Sequence, residues 1–244
     1  MTSHFVAKQP IFDRDQNIFG YELLYRDSEN NAFPEGLTDE QASARIFYET
    51  ALFHGITYIT ESKTAFVNLC DKSVLKKLPH LVPAKNLVVE IVERSKIDAE
   101  TIESIKDLHQ LGYVFALDDY DFADHWQNIA PYMHFVKFDI PEVLTDIGPT
   151  IQKIRATFPN VKLVAERVET QKQVNLAKMH GVDYLQGYFF SKPQVVKFTD
   201  VDPSKAVAAE LITCLNEPLL DFTRISSILS RDISLTSRVI KLAN

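Results

Sequence analysis

The chain has 244 residues, 45% hydrophobic and 24% charged, a globular composition that excludes a disordered tail or a fibrous repeat and suffices for one large core. Its 26 Lys and Arg against 33 Asp and Glu leave a net charge of −7, which excludes DNA gripped through a broad basic surface; a phosphate-bearing ligand would need local positive charge such as bound metal. No apolar run approaches the roughly 18–20 residues of a bilayer span, and the first residues, MTSHFVAKQP, lack a signal pattern, so a cytoplasmic protein without membrane contact is expected.

Residues 4–26 hold two β-type stretches, HFVAKQPIF and NIFGYELLYR, around the turn-like DRDQ, which predicts a hairpin. Short apolar runs then recur at 65–69, 87–91, 114–118, 135–139, 162–166 and 184–190. Between them fall helix candidates near 39–54, 71–79, 98–111, 122–130, 141–157 and 169–180. In one of these, Ile102, Ile105, Leu108 and Leu111 recur at three-residue steps behind Asp98, with Gly112 as the stop. Repeated strand and helix, joined by right-handed crossovers, predict a parallel sheet with helices outside. Six such strands plus the hairpin come close to a (β/α) barrel. An open doubly wound sheet is the alternative, but no glycine-rich turn follows the first strand.

After about residue 200 the pattern turns helical, with Pro203 near a start and Pro218 interrupting. This predicts an α-helical C-terminal segment, the opening of an incomplete second module over residues 201–244, behind a barrel over residues 1–200. Cys70 and Cys214 lie far apart and outside metal-ligand spacing, so both are expected as buried apolar residues. Trp126 and the trio Tyr188, Phe189 and Phe190 are read as packing residues, and the histidines as core or surface groups.

Several apolar runs end, or nearly end, in an oxygen-bearing side chain: Glu22, Asn68, Glu90, Asp118 with Asp119, Asp139 and Glu166. Any one alone is ordinarily a satisfied structural residue or a helix cap. A parallel barrel, however, gathers the C-terminal ends of its strands at one mouth. Converging carboxylates repel one another unless cations are present, and oxygen-only ligation suits Mg²⁺ or Mn²⁺. The adjacent pair Asp118 and Asp119 has the form of a carboxylate bridge between two ions. Lys137 lies two residues before Asp139, on the same strand face, and its charge requires a partner.

These motifs resemble those of the EAL domain family in their order: Gln9-Pro10-Ile11, Gly20-Tyr21-Glu22-Leu23-Leu24-Tyr25-Arg26, Val67-Asn68-Leu69, Val89-Glu90-Ile91-Val92-Glu93, Leu117-Asp118-Asp119, Val136-Lys137-Phe138-Asp139, Ala165-Glu166-Arg167-Val168-Glu169-Thr170 and Gln186-Gly187-Tyr188-Phe189-Phe190. The resemblance spans about residues 4–196. It implies an α/β fold, a TIM-like barrel with an antiparallel first strand, and hydrolysis of cyclic di-GMP to linear pGpG with two Mg²⁺ or Mn²⁺ ions. Glu22, Asn68, Glu90 and Asp118 would hold one ion, and Asp118, Asp119 and Glu166 the other. Lys137 would orient or activate the attacking water, Glu169 would anchor that lysine and the substrate, and Glu93 would fix the loop after the aspartate pair. Arg26 would touch phosphate, while Gln9 and Gln186 would help bind the dinucleotide.

The sequence departs from the family pattern at three places. The signature reads Glu22-Leu23-Leu24 rather than Glu-Ala-Leu, the loop Tyr120-Asp121-Phe122-Ala123-Asp124 lacks the family's two glycines, and Arg167 stands where glycine is usual. From Leu215 to Asn244 the chain is similar to the opening helices of an HDOD domain, which implies a signalling role with protein partners. A homodimer is also among the expected states. Two functions follow: an active phosphodiesterase, or a silent module that binds cyclic di-GMP or protein partners and signals to the HDOD region.

Overall fold

A hairpin opens the chain in the computed structural model, which describes residues 2–26, 28, 36, 38, 41–42, 46, 56–69, 82–141, 146–200, 204–216 and 220–243. Strand β1 (Thr2–Asp13) pairs antiparallel with β2 (Ile18–Arg26), placing Gln9 opposite Glu22. Parallel strands β3 (Thr64–Leu69), β4 (Leu87–Ile91), β5 (Val114–Leu117), β6 (Met133–Asp139), β7 (Lys162–Glu166) and β8 (Tyr184–Leu185) follow. β1 closes the ring by pairing antiparallel with β8 through Phe12 and Asp13. The result is an eight-stranded barrel in which only the first strand runs against its neighbours, as expected from the sequence.

The strand period of two explains what fills the barrel. Ile11, Phe66, Val88, Ala116, Phe135 and Val164 point inward from six strands and form an apolar plug, separate from the larger core beneath the helices. Their outward neighbours, among them Val67, Val89, Phe115, Val136 and Leu163, join that larger core. One inward step toward the C-terminal ends of the parallel strands come Asn68, Glu90, Asp118, Lys137 and Glu166, each two residues beyond a plug residue. The alternation that packs the plug therefore aims the polar set at the mouth. Gly20 belongs to this arrangement, since a Cβ there would lie 2.6 Å from the Thr64 carbonyl and 3.2 Å from the Phe66 ring.

The described helices follow their capping signals. α1 is a short turn, Ile56–Ile59. α2 (Ala99–Gln110) starts at Asp98, whose carboxylate accepts the Thr101 N–H at 2.9 Å, and it stops before Gly112 at φ 88°. α3 (Gly148–Thr157) carries a proline in its first turn, and α4 (Gln171–Met179) begins with a capping box between Thr170 and Gln173.

Elsewhere the structure differs from expectation. In place of the α-helix expected near 122–130 stand two 3₁₀ turns, Asp124–Asn128 and Ala130–Tyr132. Asp121 Oδ1 accepts from the Ala123 N–H at 3.1 Å and the Trp126 indole at 2.6 Å, a local turn that competes with helix, and Pro131 lacks the N–H to continue one. Strand β8 ends after two residues because Gly187, at φ 156°, packs against the Val168 backbone, 2.2 Å from where its Cβ would lie. A strand unforeseen in the sequence, β9 (Gln194–Asp200), pairs antiparallel with β1 from Thr2 to Lys8, outside the closed ring. The helix expectations near 39–54 and 71–79 fall largely outside the described residues, as do Cys70, Pro203 and Pro218.

Beyond the barrel lie α5 (Lys205–Leu215), α6 (Phe222–Ser230) and α7 (Ile233–Ala243). Cys214 and Ile228 are buried among them, whereas Ile212, Leu215, Phe222 and Ile233 are exposed. No helix among the described residues is long and apolar enough to cross a membrane.

Candidate active site

At the mouth a buried ammonium sits inside a ring of carboxylates. Lys137 Nζ, fully buried on β6, lies 2.8 Å from Asp118 Oδ1, 2.9 Å from Glu90 Oε1, 3.0 Å from Glu166 Oε1 and 3.3 Å from Glu22 Oε2. These five groups come from β2, β4, β6, β7 and the residue just after β5. Asp118 is held there because its N–H donates to the Ile91 carbonyl of β4 at 2.9 Å. Glu22 is fixed further by Gln186 Nε2 at 2.6 Å and by Asn68 Nδ2 at 3.2 Å. Gln9 lines the pocket from β1.

One ammonium cannot neutralise four carboxylates. Burial raises the Glu90 and Glu166 carboxyls well above the ordinary range, and neighbouring carboxylates add to the rise against the pull of Lys137. Burial alone would lower the Lys137 ammonium, but Asp118, Glu166, Glu22 and Glu90 outweigh it and hold it well above its usual value. Asp119 is raised first by burial, then by Asp118 and Asp139.

The donor set fits hard cations. Oxygens of Glu22, Glu90 and Asp118 lie within 4.8 Å of one another, as do those of Asp118, Asp119 and Glu166, so Asp118 is common to both groups. The buried Glu90 Oε2 and Gln186 Oε1 have no hydrogen-bond partner, a costly condition that a bound cation, or water on it, would relieve. These acidic clusters could bind a metal.

The other sequence candidates take different places. Glu169 lines the rim, and the four ion-pair partners named above for Lys137 do not include it. Its backbone N–H donates to Gln173 Oε1 at 2.9 Å, within the capping box of α4. Glu93 lies outside the pocket lining, pairs with Arg94 at 3.3 Å, and contributes to the raised Asp119 carboxyl. Arg26 is buried, with Nη1 donating to the Tyr25 carbonyl at 2.7 Å; burial lowers its guanidinium pKa while Glu22 and Tyr188 oppose that effect.

Of two rim features, the sequence placed one, Arg167, beside an expected metal ligand and missed the other, Tyr188. Tyr188, expected to pack, is 55% exposed and lines the pocket, whereas Phe190 does pack, stacking on Phe12 at 4.7 Å. Arg167 lines the same pocket and pairs with Asp139 at 3.1 Å. The register of β6 against β7, which sets Asp139 beside Glu166, brings these two together. In the loop after Asp118, which has no glycine, Asp119 and Phe122 adopt left-handed φ of 47° and 65°.

A closed barrel with one reversed strand defines the class of TIM-like barrels. An EAL domain protein from Listeria monocytogenes has this fold, with a TM-score of 0.61 at 21% identity over 78% of this chain and 89% of its own. The Bacillus subtilis YkuI protein, solved with its EAL domain in complex with substrate c-di-GMP and calcium, matches with a TM-score of 0.58 at 17% identity over 95% of this chain and 73% of its own. In sequence, the cyclic di-GMP phosphodiesterase CdgJ of Vibrio cholerae is 34% identical over all of this chain and 57% of its own length. No family model matches the chain. The names of the relatives and the structural neighbours together support the EAL domain family. The chain spans less than two thirds of the length of the curated relatives that match it from end to end.

Proposed function

We propose that the barrel is a metal-dependent phosphodiesterase of bacterial second-messenger signalling that opens cyclic di-GMP to linear pGpG in the cytoplasm. The observation that carries this reading is the pair of carboxylate groups sharing Asp118 around buried Lys137. Glu22, Asn68, Glu90 and Asp118 would hold one Mg²⁺ or Mn²⁺ ion, and Asp118, Asp119 and Glu166 a second. Bound there, such ions polarise a phosphodiester and lower the pKa of water.

The chain's own groups do the rest. Lys137, kept protonated by its carboxylates, orients the attacking water and places positive charge where negative charge develops on the phosphorane oxygens. The water oxygen bonds to phosphorus, the bond from phosphorus to O3′ breaks, and the water proton ends on that O3′. Gln9, Gln186 and Arg26 hold the dinucleotide, with Glu169 at the rim on the substrate side and Glu93 supporting the loop after the aspartate pair. Residues 201–244 are assigned to the start of an HDOD-like module that takes protein partners, and a homodimer is the assembly assigned to the barrel.

A second reading, a silent receptor for cyclic di-GMP, is favoured by the left-handed Asp119 and Phe122 in the remodelled loop. Incubating the protein with cyclic di-GMP and Mg²⁺ or Mn²⁺, with pGpG followed by chromatography, separates the two. Product formation supports the enzyme; nucleotide binding without product at high protein concentration overturns it in favour of the receptor.

A further inference from the structure

Arg167 is the single cation among the described residues lining the mouth pocket, beside the carboxylates Glu22, Asp118, Asp119, Asp139, Glu166 and Glu169. Its side chain is 72% exposed, and the one ion pair it makes there is with Asp139, itself 41% exposed. A pair in that much solvent is weak, so the guanidinium stands over the mouth without being committed to Asp139.

The backbone gives no reason to prefer arginine over glycine here. Arg167 has φ 53°, a left-handed conformation that costs an arginine energy and a glycine almost none. The turn itself is required, since the next N–H, of Val168, donates to the Gln186 carbonyl at 3.0 Å and seats the glutamine that holds Glu22. Glycine would make the turn more cheaply and would leave the acidic rim without its cation. A cyclic dinucleotide brings two phosphates to this mouth, and both must approach a surface dominated by carboxylates. A guanidinium on a flexible stem offers a phosphate a forked pair of donors.

We propose that Arg167 is a substrate-binding residue whose guanidinium exchanges Asp139 for a phosphate oxygen of the bound cyclic dinucleotide. The inference rests on the phosphodiesterase reading above. Titration calorimetry of cyclic di-GMP in calcium, the cation of the YkuI complex, tests it on the full chain and on R167G, R167K and R167E. Thermal midpoints and the KM and kcat of any turnover in Mg²⁺ or Mn²⁺ complete the set.

Loss of one charge-assisted contact should weaken binding by about 5- to 20-fold in R167G, with KM rising alike and kcat unchanged. R167K should fall between R167G and the parent, and R167E should bind weakest. The thermal midpoint of R167G should hold or rise, because glycine accepts the left-handed backbone. Equal affinity of R167G and the parent overturns the proposal, as does a fall in midpoint with affinity intact, which would make Arg167 a structural partner of Asp139. Failure of the parent itself to bind cyclic di-GMP, seen before any variant is compared, overturns the underlying reading and this one with it.

Discussion

Replacing Lys137 with methionine keeps most of the side-chain length and removes the charge from the centre of four carboxylates. In the metal-free protein the Glu22, Glu90, Asp118 and Glu166 oxygens, all within 3.3 Å of the ammonium, lose their common counter-charge. Breaking a buried ion pair by removing one partner costs about 3–5 kcal/mol. At roughly 2–4 °C per kcal/mol for a domain of this size, the midpoint in EDTA at neutral pH should fall by about 6–20 °C.

The loss should depend on pH with a definite sign. Glu90 and Glu166 have folded-state carboxyl pKa values raised by burial, so the folded state binds their protons more tightly than the unfolded chain. Their contribution to stability is present at low pH and is lost as pH rises from the ordinary carboxyl range of about 4–5 through the raised values. Without Lys137 those values rise further, so the gap between variant and parent should be small near the acid end and widen toward neutrality. Lys137 itself, raised well above its usual value, stabilises the fold fully below the unfolded lysine pKa of about 10.4, and that contribution fades as pH climbs through the folded value. Scanning calorimetry in EDTA across this range measures both effects. A midpoint shift under about 2 °C at neutral pH, or a gap that narrows as pH rises, would refute the electrostatic account.

Three further perturbations follow from the geometry. Glu22→Ala removes the carboxylate that accepts from Gln186 and Asn68 and belongs to the first acidic group; pGpG formation should vanish, and Mn²⁺ binding by calorimetry should weaken at least about tenfold. Gly187→Ala sets a Cβ 2.2–2.3 Å from the Val168 backbone, which cannot move aside as a side-chain tip would; urea unfolding should show a loss of at least about 2–3 kcal/mol, and an unchanged midpoint would contradict the close approach. Asp98→Ala deletes the cap on Thr101 N–H and should cost about 1 kcal/mol with affinity for cyclic di-GMP unaltered.

Much of the barrel was legible because its signals are local. Strands β4 and β7 run over the apolar segments 87–91 and 162–166 read in the sequence, and α2 starts behind Asp98 as read there, since strand alternation and capping act over a few neighbouring residues. The short strand β8 and the added strand β9 were not legible, because one ends on a backbone contact with Val168 and the other exists only through pairing with β1. The strand-end oxygens could be enumerated from the sequence, and a barrel implied that they converge. Which of them meet was decided by register: Asp118 lies in both acidic groups, and Lys137 touches Glu22, Glu90, Asp118 and Glu166, with Glu169 left at the rim. The pairing of Arg167 with Asp139 and the exposure of Tyr188 depend likewise on how β6, β7 and the turn after β8 lie side by side. Sequence alone therefore determined the kinds of groups this chain carries to the end of each strand. Only tertiary structure decided their distances, and with them which charges are buried, because both are set by contacts between segments remote along the chain.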